Sequence, residues 1–139
     1  MSHELSISKW GPAAWQFLHT ISYTYKKEPS PEDIHNMYMF LTYFAKVLPC
    51  KKCKDDFVNY IDTTLTKNSS HLESRKNLSM YVNDAHNYVN RKTGKREWKY
   101  EESREKFLNP TINNMYFSLS ILLVSLLIVI AMRKKKNNK

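Results

Sequence analysis

Apolar side chains recur every three or four residues along much of this chain, which is the spacing of one face of an α-helix. A first helix is predicted over residues 12–25, because Pro12 suits an opening helical turn. The segment 28–31, Glu-Pro-Ser-Pro, then interrupts the pattern. The buried face of this helix would comprise Trp15, Leu18, His19 and Ser22.

A second helix is predicted directly after this interruption. Ser30 can cap its amino terminus, and Pro31 can occupy its first position. The acids Glu32 and Asp33 then suit the positive end of the helix dipole, and Pro49 marks the end of the helix. Its apolar face would comprise Ile34, Met37, Tyr38, Leu41, Phe44, Ala45 and Leu48.

Three further helices complete the predicted fold. One starts at a cysteine pair and runs through Ile61, and a polar loop follows over residues 63–70. The next helix spans about residues 73–92, and Gly94, just after its end, suits a left-handed cap. A short helix then covers residues 100–108. A chain with only two glycines is ill suited to β-hairpin turns. We therefore predict an all-α, four-helix bundle with a short fifth helix.

Residues 115–132 form an uncharged stretch that predicts a C-terminal transmembrane helix. At 1.5 Å per residue this stretch spans about 27 Å, close to the hydrocarbon thickness of a bilayer. Residues 109–114 would be a linker and residues 133–139 a basic tail. The first ten residues hold no apolar segment of the signal-peptide kind, so we expect a C-terminal anchor under a soluble domain.

Two arguments predict opposite orientations for this anchor. A basic tail kept on the cytoplasmic side would place the domain across the membrane. Late insertion of the tail would instead leave the domain in the cytoplasm, and this is the arrangement we expect.

The net charge of +9 raises the question of nucleic-acid binding. Five of these charges lie in the tail after residue 132. The excess of positive charge over the remaining residues is ordinary for a solvated protein surface. No nucleic-acid recognition motif accompanies the charge, and we therefore expect no such partner.

Both cysteines of the chain lie in one motif, Cys50-Lys51-Lys52-Cys53, directly after Pro49. Such a pair is either a redox dithiol or half of a metal site. A helix amino terminus and nearby lysines lower the pKa of a thiol, which favours the redox interpretation. Two ordinary buried cysteines are the alternative, but a preceding proline and interposed lysines are atypical of a core.

Two other classes of Cys-x-x-Cys protein fit less well. A zinc site needs further ligands, and His71 and His86 lie too far apart in sequence for a zinc-finger spacing. A thioredoxin-like module places its pair after a β-strand, whereas the segment before Cys50 is predicted to be helical. We therefore expect neither a metal nor a thioredoxin fold.

Two predicted helices combine rings and hydrogen-bonding groups on one strip each. The strips comprise Trp15 and His19 on the first helix and His86, Asn87, Val89 and Asn90 on the fourth. Beside a redox dithiol, they suit a flat aromatic cofactor, which needs apolar faces for stacking and a few polar groups at its edge. Lys92, Lys95 and Arg96 could then meet the phosphates of the cofactor.

Three motifs follow one another along the chain. They are Trp-Gly-Pro-Ala-Ala-Trp-Gln-Phe-Leu-His at 10–19, Pro-Cys-Lys-Lys-Cys at 49–53 and His-Asn-Tyr-Val-Asn at 86–90. In this order and spacing they resemble the FAD-linked sulfhydryl oxidases of the ERV/ALR type. The resemblance covers about residues 9–98.

The resemblance implies an FAD-binding sulfhydryl oxidase domain over residues 1–108, assembled as a homodimer. It implies that Cys50 meets the substrate, that Cys53 lies next to the flavin, and that electrons pass to oxygen to give hydrogen peroxide. The cofactor-binding residues it implies are Trp10, Gly11, Trp15, His19, Phe44, His86, Asn87, Val89, Asn90, Lys92 and Trp98.

The chain departs from longer family members, which add a structural disulfide and a shuttle disulfide. Because no third cysteine exists here, we expect a protein dithiol or a small redox carrier to reach Cys50 directly. In this respect the chain looks like the short family members found in large DNA viruses. This resemblance implies that the anchor lies in a viral membrane or a host cytoplasmic membrane. The alternative is a membrane-tethered helical interaction module, in which Cys50→Ser and Cys53→Ser would both be harmless.

Overall fold

The computed structural model describes residues 6–108 and 119–128 of the chain, which divides into two units, Met1–Leu108 and Asn109–Lys139. The described residues form helices and no β-strand. The first unit contains α1 (Ile7–Thr24), α2 (Pro31–Lys46), α3 (Lys51–Thr64), α4 (Arg75–Lys92) and α5 (Tyr100–Leu108), with a 3-10 turn at Ser70–Leu72. This confirms the all-α prediction of four long helices and a short fifth.

Local sequence signals account for several of the helix ends. The Ser30 hydroxyl accepts a 3.2 Å hydrogen bond from the Asp33 amide, and the Asp33 carboxylate accepts a 2.9 Å bond from the Ser30 amide. This reciprocal capping box stabilises the start of α2. At the other end of the bundle, Gly94 follows α4 with a φ of +67°, the left-handed conformation that was predicted.

Other helix boundaries differ from the prediction. Helix α1 begins at Ile7 rather than at Pro12, which therefore lies inside the helix. Pro12 is the sixth residue of this helix, beyond the four amides that have no intrahelical partner, so it removes one intrahelical hydrogen bond. Helix α2 ends at Lys46, before Pro49, and α3 continues to Thr64, into the segment expected to be a polar loop.

A single apolar core holds the bundle together. Helix α1 packs mainly on α4, α2 packs on α3, and α5 lies against α1. The Trp15 ring of α1 lies 5.8 Å from the Phe57 ring of α3, which brings the first turns of α3 next to α1. The fully buried apolar side chains include Leu18, Leu41, Ala45, Phe57, Ile61, Leu65, Leu72, Leu78, Tyr81, Val82 and Ala85.

The described part of the predicted membrane segment, residues 119–128, is helical. The linker, the basic tail and the remainder of residues 115–132 fall outside the described residues. Within residues 6–108 and 119–128, no helix combines the length and the hydropathy that crossing a bilayer requires. The anchor therefore stays a prediction.

Candidate active site

The first turn of α3 holds the cysteine pair. Cys50 is the N-cap of the helix and is bonded to Cys53 in a disulfide whose Cα atoms lie 5.2 Å apart. The Cys53 amide donates a 3.2 Å hydrogen bond to the Cys50 sulfur. An amide donor and the positive end of the helix dipole both favour a thiolate over a thiol. The structure therefore gives this pair the surroundings of a reactive dithiol.

A cleft opens beside the disulfide, between α1, α3 and the last turns of α4. Its lining is mainly aromatic and aliphatic, and both sulfurs form part of one wall. A largely apolar cleft with a few polar groups is the usual form of a small-molecule site. Eight predicted site residues line it together: Trp10, Gly11, Trp15, Phe44, Cys50, Cys53, Val89 and Lys92.

Trp15 links this cleft to a buried histidine pair. The Trp15 ring stacks on His86, with ring centroids 4.0 Å apart and planes 6° apart. The His86 Nδ1 atom lies 3.0 Å from the His19 Nε2 atom, so one ring donates a hydrogen bond to the other. Phe107 of α5 stacks on the far side of His19, with centroids 4.0 Å apart. The two predicted histidines thus lie behind the cleft wall rather than on it.

Both histidines are held in the neutral form. Burial, then the charges of His86 and Lys106, lowers the pKa of His19 to about 3. Burial, then the charges of Lys106 and Lys95, lowers the pKa of His86 to about 4. A neutral pair can share one proton in the hydrogen bond, whereas two imidazolium rings would repel each other.

This pair predicts a loss of stability in mild acid. Between pH 6.5 and 4 the unfolded chain binds more protons than the folded chain, so the free energy of unfolding falls as the pH falls. From pH 7 to 5 we expect a decrease of roughly 2–4 kcal/mol, measured by urea unfolding. His19→Gln should flatten this dependence, whereas His35→Gln, which replaces an exposed histidine, should retain it. An equally steep profile in His19→Gln would contradict the assignment.

The loop after α4 is organised by Asn87. Its side-chain amide donates to the Trp98 carbonyl at 2.8 Å, and its side-chain oxygen accepts from the Trp98 amide at 2.8 Å. Lys106 and Arg96 lie over the Trp98 ring, 4.2 and 5.3 Å from its centroid. Asn87 and Trp98 thus meet each other at the back of the site, and neither lines the cleft.

The fourth helix also carries Asn90, which is buried and does not line the cleft. Its carbonyl accepts a 2.8 Å hydrogen bond from the Lys95 amide, which turns the chain after α4. Of the cations predicted to meet phosphates, Lys92 lines the cleft and Arg96 forms a 2.6 Å ion pair with Glu102.

Three buried polar atoms have no partner within the described part of the protein. Among the described residues, His19 Nδ1, Asn83 Oδ1 and Asn90 Nδ2 have no hydrogen-bond partner. Leaving such atoms without a partner costs about 1–3 kcal/mol each, so they are candidates for ligand contacts. They lie on α1 and α4, the two helices predicted to hold a flat cofactor. Their residues do not line the cleft, so the fit to a flat cofactor rests on the aromatic and aliphatic lining of the cleft.

The cleft also contains residues that the sequence did not single out. Phe57 lies one helical turn after Cys53, and Tyr88 lies one turn before Lys92, so helical spacing alone could have identified both. Lys52 and Asp56 also line the cleft. No local pattern would have revealed Phe107, because only the docking of α5 brings it to His19. Within the described ranges, no three metal-ligating side chains converge.

The exposure of the two sulfurs does not follow their predicted roles in a simple way. Cys50, expected to meet the substrate, is 9% exposed, and Cys53 is more exposed than this. Both cysteines line the cleft. The order of the two sulfurs stays a prediction from the motif.

Comparisons with known proteins agree with these motifs. The sequence profile of the Erv1/Alr family matches residues 12–108. The probable FAD-linked sulfhydryl oxidase R368 of Acanthamoeba polyphaga mimivirus is 33% identical over 81% of this chain and 80% of its own. The mitochondrial FAD-linked sulfhydryl oxidase ERV1 of Saccharomyces cerevisiae is 33% identical over 64% of this chain. The match covers 45% of that longer yeast protein, so the chain spans about half of it.

Solved structures show the same similarity. The FAD-binding domain of Erv1 from Saccharomyces cerevisiae aligns with a TM-score of 0.67 and 28% identity, covering 74% of this chain and 94% of that domain. The yeast Erv1 core aligns with a TM-score of 0.66 at 28% identity, covering 73% of this chain and 83% of that core.

Proposed function

The chain belongs to the Erv1/Alr family, and on this basis we propose that it oxidises dithiols through the Cys50–Cys53 disulfide. The enzyme class and the cofactor follow from the relatives, among which FAD-linked sulfhydryl oxidases recur. The fold shared with the FAD-binding domain of yeast Erv1 supports the same cofactor. The chain is therefore an FAD-linked sulfhydryl oxidase.

The disulfide carries out the first half of the reaction. A substrate thiolate attacks the Cys50 sulfur, the Cys50–Cys53 bond breaks, and Cys53 leaves as a thiolate. The second substrate thiolate then attacks the substrate sulfur of the mixed disulfide and releases Cys50 as a thiolate. The substrate leaves as a disulfide, its two protons pass to water, and the pair retains two electrons. The Cys53 amide stabilises the Cys50 thiolate, and the dipole of α3 favours negative charge in this first turn.

The cleft supplies the place for the cofactor. A bound FAD would supply two-electron redox chemistry: the electrons of the cysteine pair would reduce molecular oxygen, with two protons from water, to hydrogen peroxide. Trp10, Trp15, Phe44 and Val89 provide apolar faces for the ring system, and Lys92 provides a cation at the edge.

The observation that carries this proposal is the presence of both sulfurs in the wall of one aromatic cleft. The test uses the full chain in neutral detergent, reconstituted with FAD and supplied with dithiothreitol. We expect oxygen uptake with one hydrogen peroxide formed for each dithiol oxidised. A flavin-loaded protein that consumes no oxygen under these conditions would contradict the proposed reaction.

The assembly and location are further parts of the proposal. Residues 115–132 would anchor the protein, with the domain in the cytoplasm, and their lack of charge supports this. Exposed apolar residues on and next to α1 and α2, Phe17 at 52%, Tyr43 at 56% and Val47 at 74%, support a homodimer. Membrane fractionation with and without residues 115–139 tests the anchor, and sedimentation tests the dimer. If the chain is equally soluble with and without residues 115–139, the proposed anchor is wrong. If the protein sediments as a monomer, the proposed homodimer is wrong.

A further inference from the structure

The charged side chains around the disulfide have no part in the reaction as described so far. Residues 46–54, from the end of α2 to the first turn of α3, contain four lysines and no acidic residue. We call these residues the cationic rim: Lys46, Lys51, Lys52 and Lys54.

The rim lies on both sides of the cysteine motif, at the end of α2 and in the first turn of α3. Lys52 lines the cleft together with Cys50 and Cys53. Lys46 and Lys54 line one shallow groove on the outer surface between α2 and α3. Cations from both helices that flank the reactive motif therefore face the same region of solvent.

Acidic residues offset only part of this charge. Asp55 forms a 2.7 Å ion pair with Lys51, in which both side chains are exposed. Asp56 lines the cleft beside Lys52. Asp62 borders the groove two helical turns beyond Lys54, about 12 Å along α3. Asp55 borders this groove as well. Over residues 46–56 the four lysines outnumber the two acids, Asp55 and Asp56, and the helix dipole adds to the positive charge.

We propose that the cationic rim selects protein dithiols whose cysteines are flanked by acidic side chains. This inference rests on the proposed function, and it names the class of substrate that the disulfide oxidises. A cysteine thiolate must come within bonding distance of Cys50, which brings its neighbouring residues against the rim. The rim attracts substrates with acidic neighbours and repels those with basic neighbours. The main effect is on the rate at which substrate associates with the protein.

The effect should depend strongly on salt. Charges exposed to solvent interact over a Debye length of about 10 Å at 0.1 M ionic strength, and over about 3 Å at 1 M. Lys46, Lys51 and Lys52 are exposed and Lys54 is half-buried, so high salt should remove most of the selectivity. Contacts that depend on apolar packing would instead survive in high salt.

The test compares two synthetic peptide dithiols that differ only in their flanking residues, glutamate in one and lysine in the other. The flavin-loaded full chain oxidises each peptide, and oxygen uptake gives kcat/KM at low and high salt. At low salt we expect the glutamate peptide to be preferred by about tenfold, with a ratio below about threefold at 1 M salt.

Reversing the charge of two rim lysines tests whether the preference for the glutamate peptide arises at the rim. In the double variant Lys46→Glu, Lys54→Glu, the ratio at low salt should fall to about one or invert. The matched control is Lys67→Glu, Lys76→Glu, which makes the same change in net charge. Lys67 lies beyond the far end of α3, and Lys76 lies in the first turn of α4, whose last turn lines the cleft. This control should retain at least half of the wild-type preference.

The outcomes separate this inference from the proposed function. If the wild-type protein oxidises dithiothreitol but treats both peptides alike at low salt, the rim has no selective role and the proposed function stands. An equal loss of preference in the two double variants would assign the effect to overall charge and overturn the rim. If the flavin-loaded protein does not oxidise dithiothreitol, the proposed function fails and the inference fails with it.

Discussion

Cys53→Ser is expected to lower the rate of dithiol oxidation by about a thousandfold or more, while the protein still binds FAD. The variant has no disulfide for a substrate thiolate to attack, so electrons have no covalent route to the cofactor. Cys50→Ser should lose activity to a similar extent for the same reason. Oxygen uptake with dithiothreitol measures the loss, and the visible absorption of the purified variant measures the FAD retained.

The stability of the same variants distinguishes a catalytic disulfide from a structural one. The Cys50–Cys53 bond closes a very short loop, so the chain-entropy model assigns it only about 2 kcal/mol. Both variants should therefore remain folded, with helical circular dichroism close to that of the wild type. A Cys53→Ser protein that oxidises dithiols at a tenth of the wild-type rate or faster would contradict the proposed reaction.

Val89→Trp is expected to weaken FAD binding by about a hundredfold or more. Val89 is partly buried and lines the cleft, so an indole at this position would occupy the space needed by the ring system. Filling the cleft, rather than deleting one of its walls, leaves the packing of Trp15 on His86 in place. Titration of the FAD-free protein with FAD, followed by flavin fluorescence, gives the change in Kd.

The same helix provides a control for this variant. Met80 lies on α4 and is 43% exposed, so Met80→Trp adds the same ring at the surface. Its Kd for FAD should stay within about threefold of the wild-type value. If Val89→Trp binds FAD as tightly as Met80→Trp, the cleft beside the disulfide is not the cofactor site.

Much of the fold could be predicted because its signals are local. Ser30 and Asp33 form a capping box within four residues, and Gly94 closes α4 without reference to any other element. The predicted start of α1 is wrong. Pro12 suits the first position of a helix, but the helix begins at Ile7 and includes the proline. Propensity alone does not distinguish a proline at the first position from one in the following turn.

The candidate site could be predicted only as far as its motifs extend. Trp15, Cys53 and Val89 belong to three short motifs, and the structure brings all three to one cleft. The hydrogen bond between His19 and His86 joins residues 67 positions apart, so no window of sequence contains it. The role of Asn87 at the cofactor stays a prediction, and its side-chain hydrogen bonds to the backbone of Trp98 could not be read from the motif. Such contacts arise only when separate helices pack together.

The most direct test of the account is the visible absorption spectrum of the full chain without oxygen, before and after one equivalent of dithiothreitol. If Cys50 and Cys53 deliver electrons to bound FAD, the wild-type protein shows an oxidised flavin band that one equivalent of dithiol bleaches. Cys53→Ser should show the same band and keep it over the same interval. A protein that takes up no FAD, or equal bleaching of the two proteins, would contradict the account.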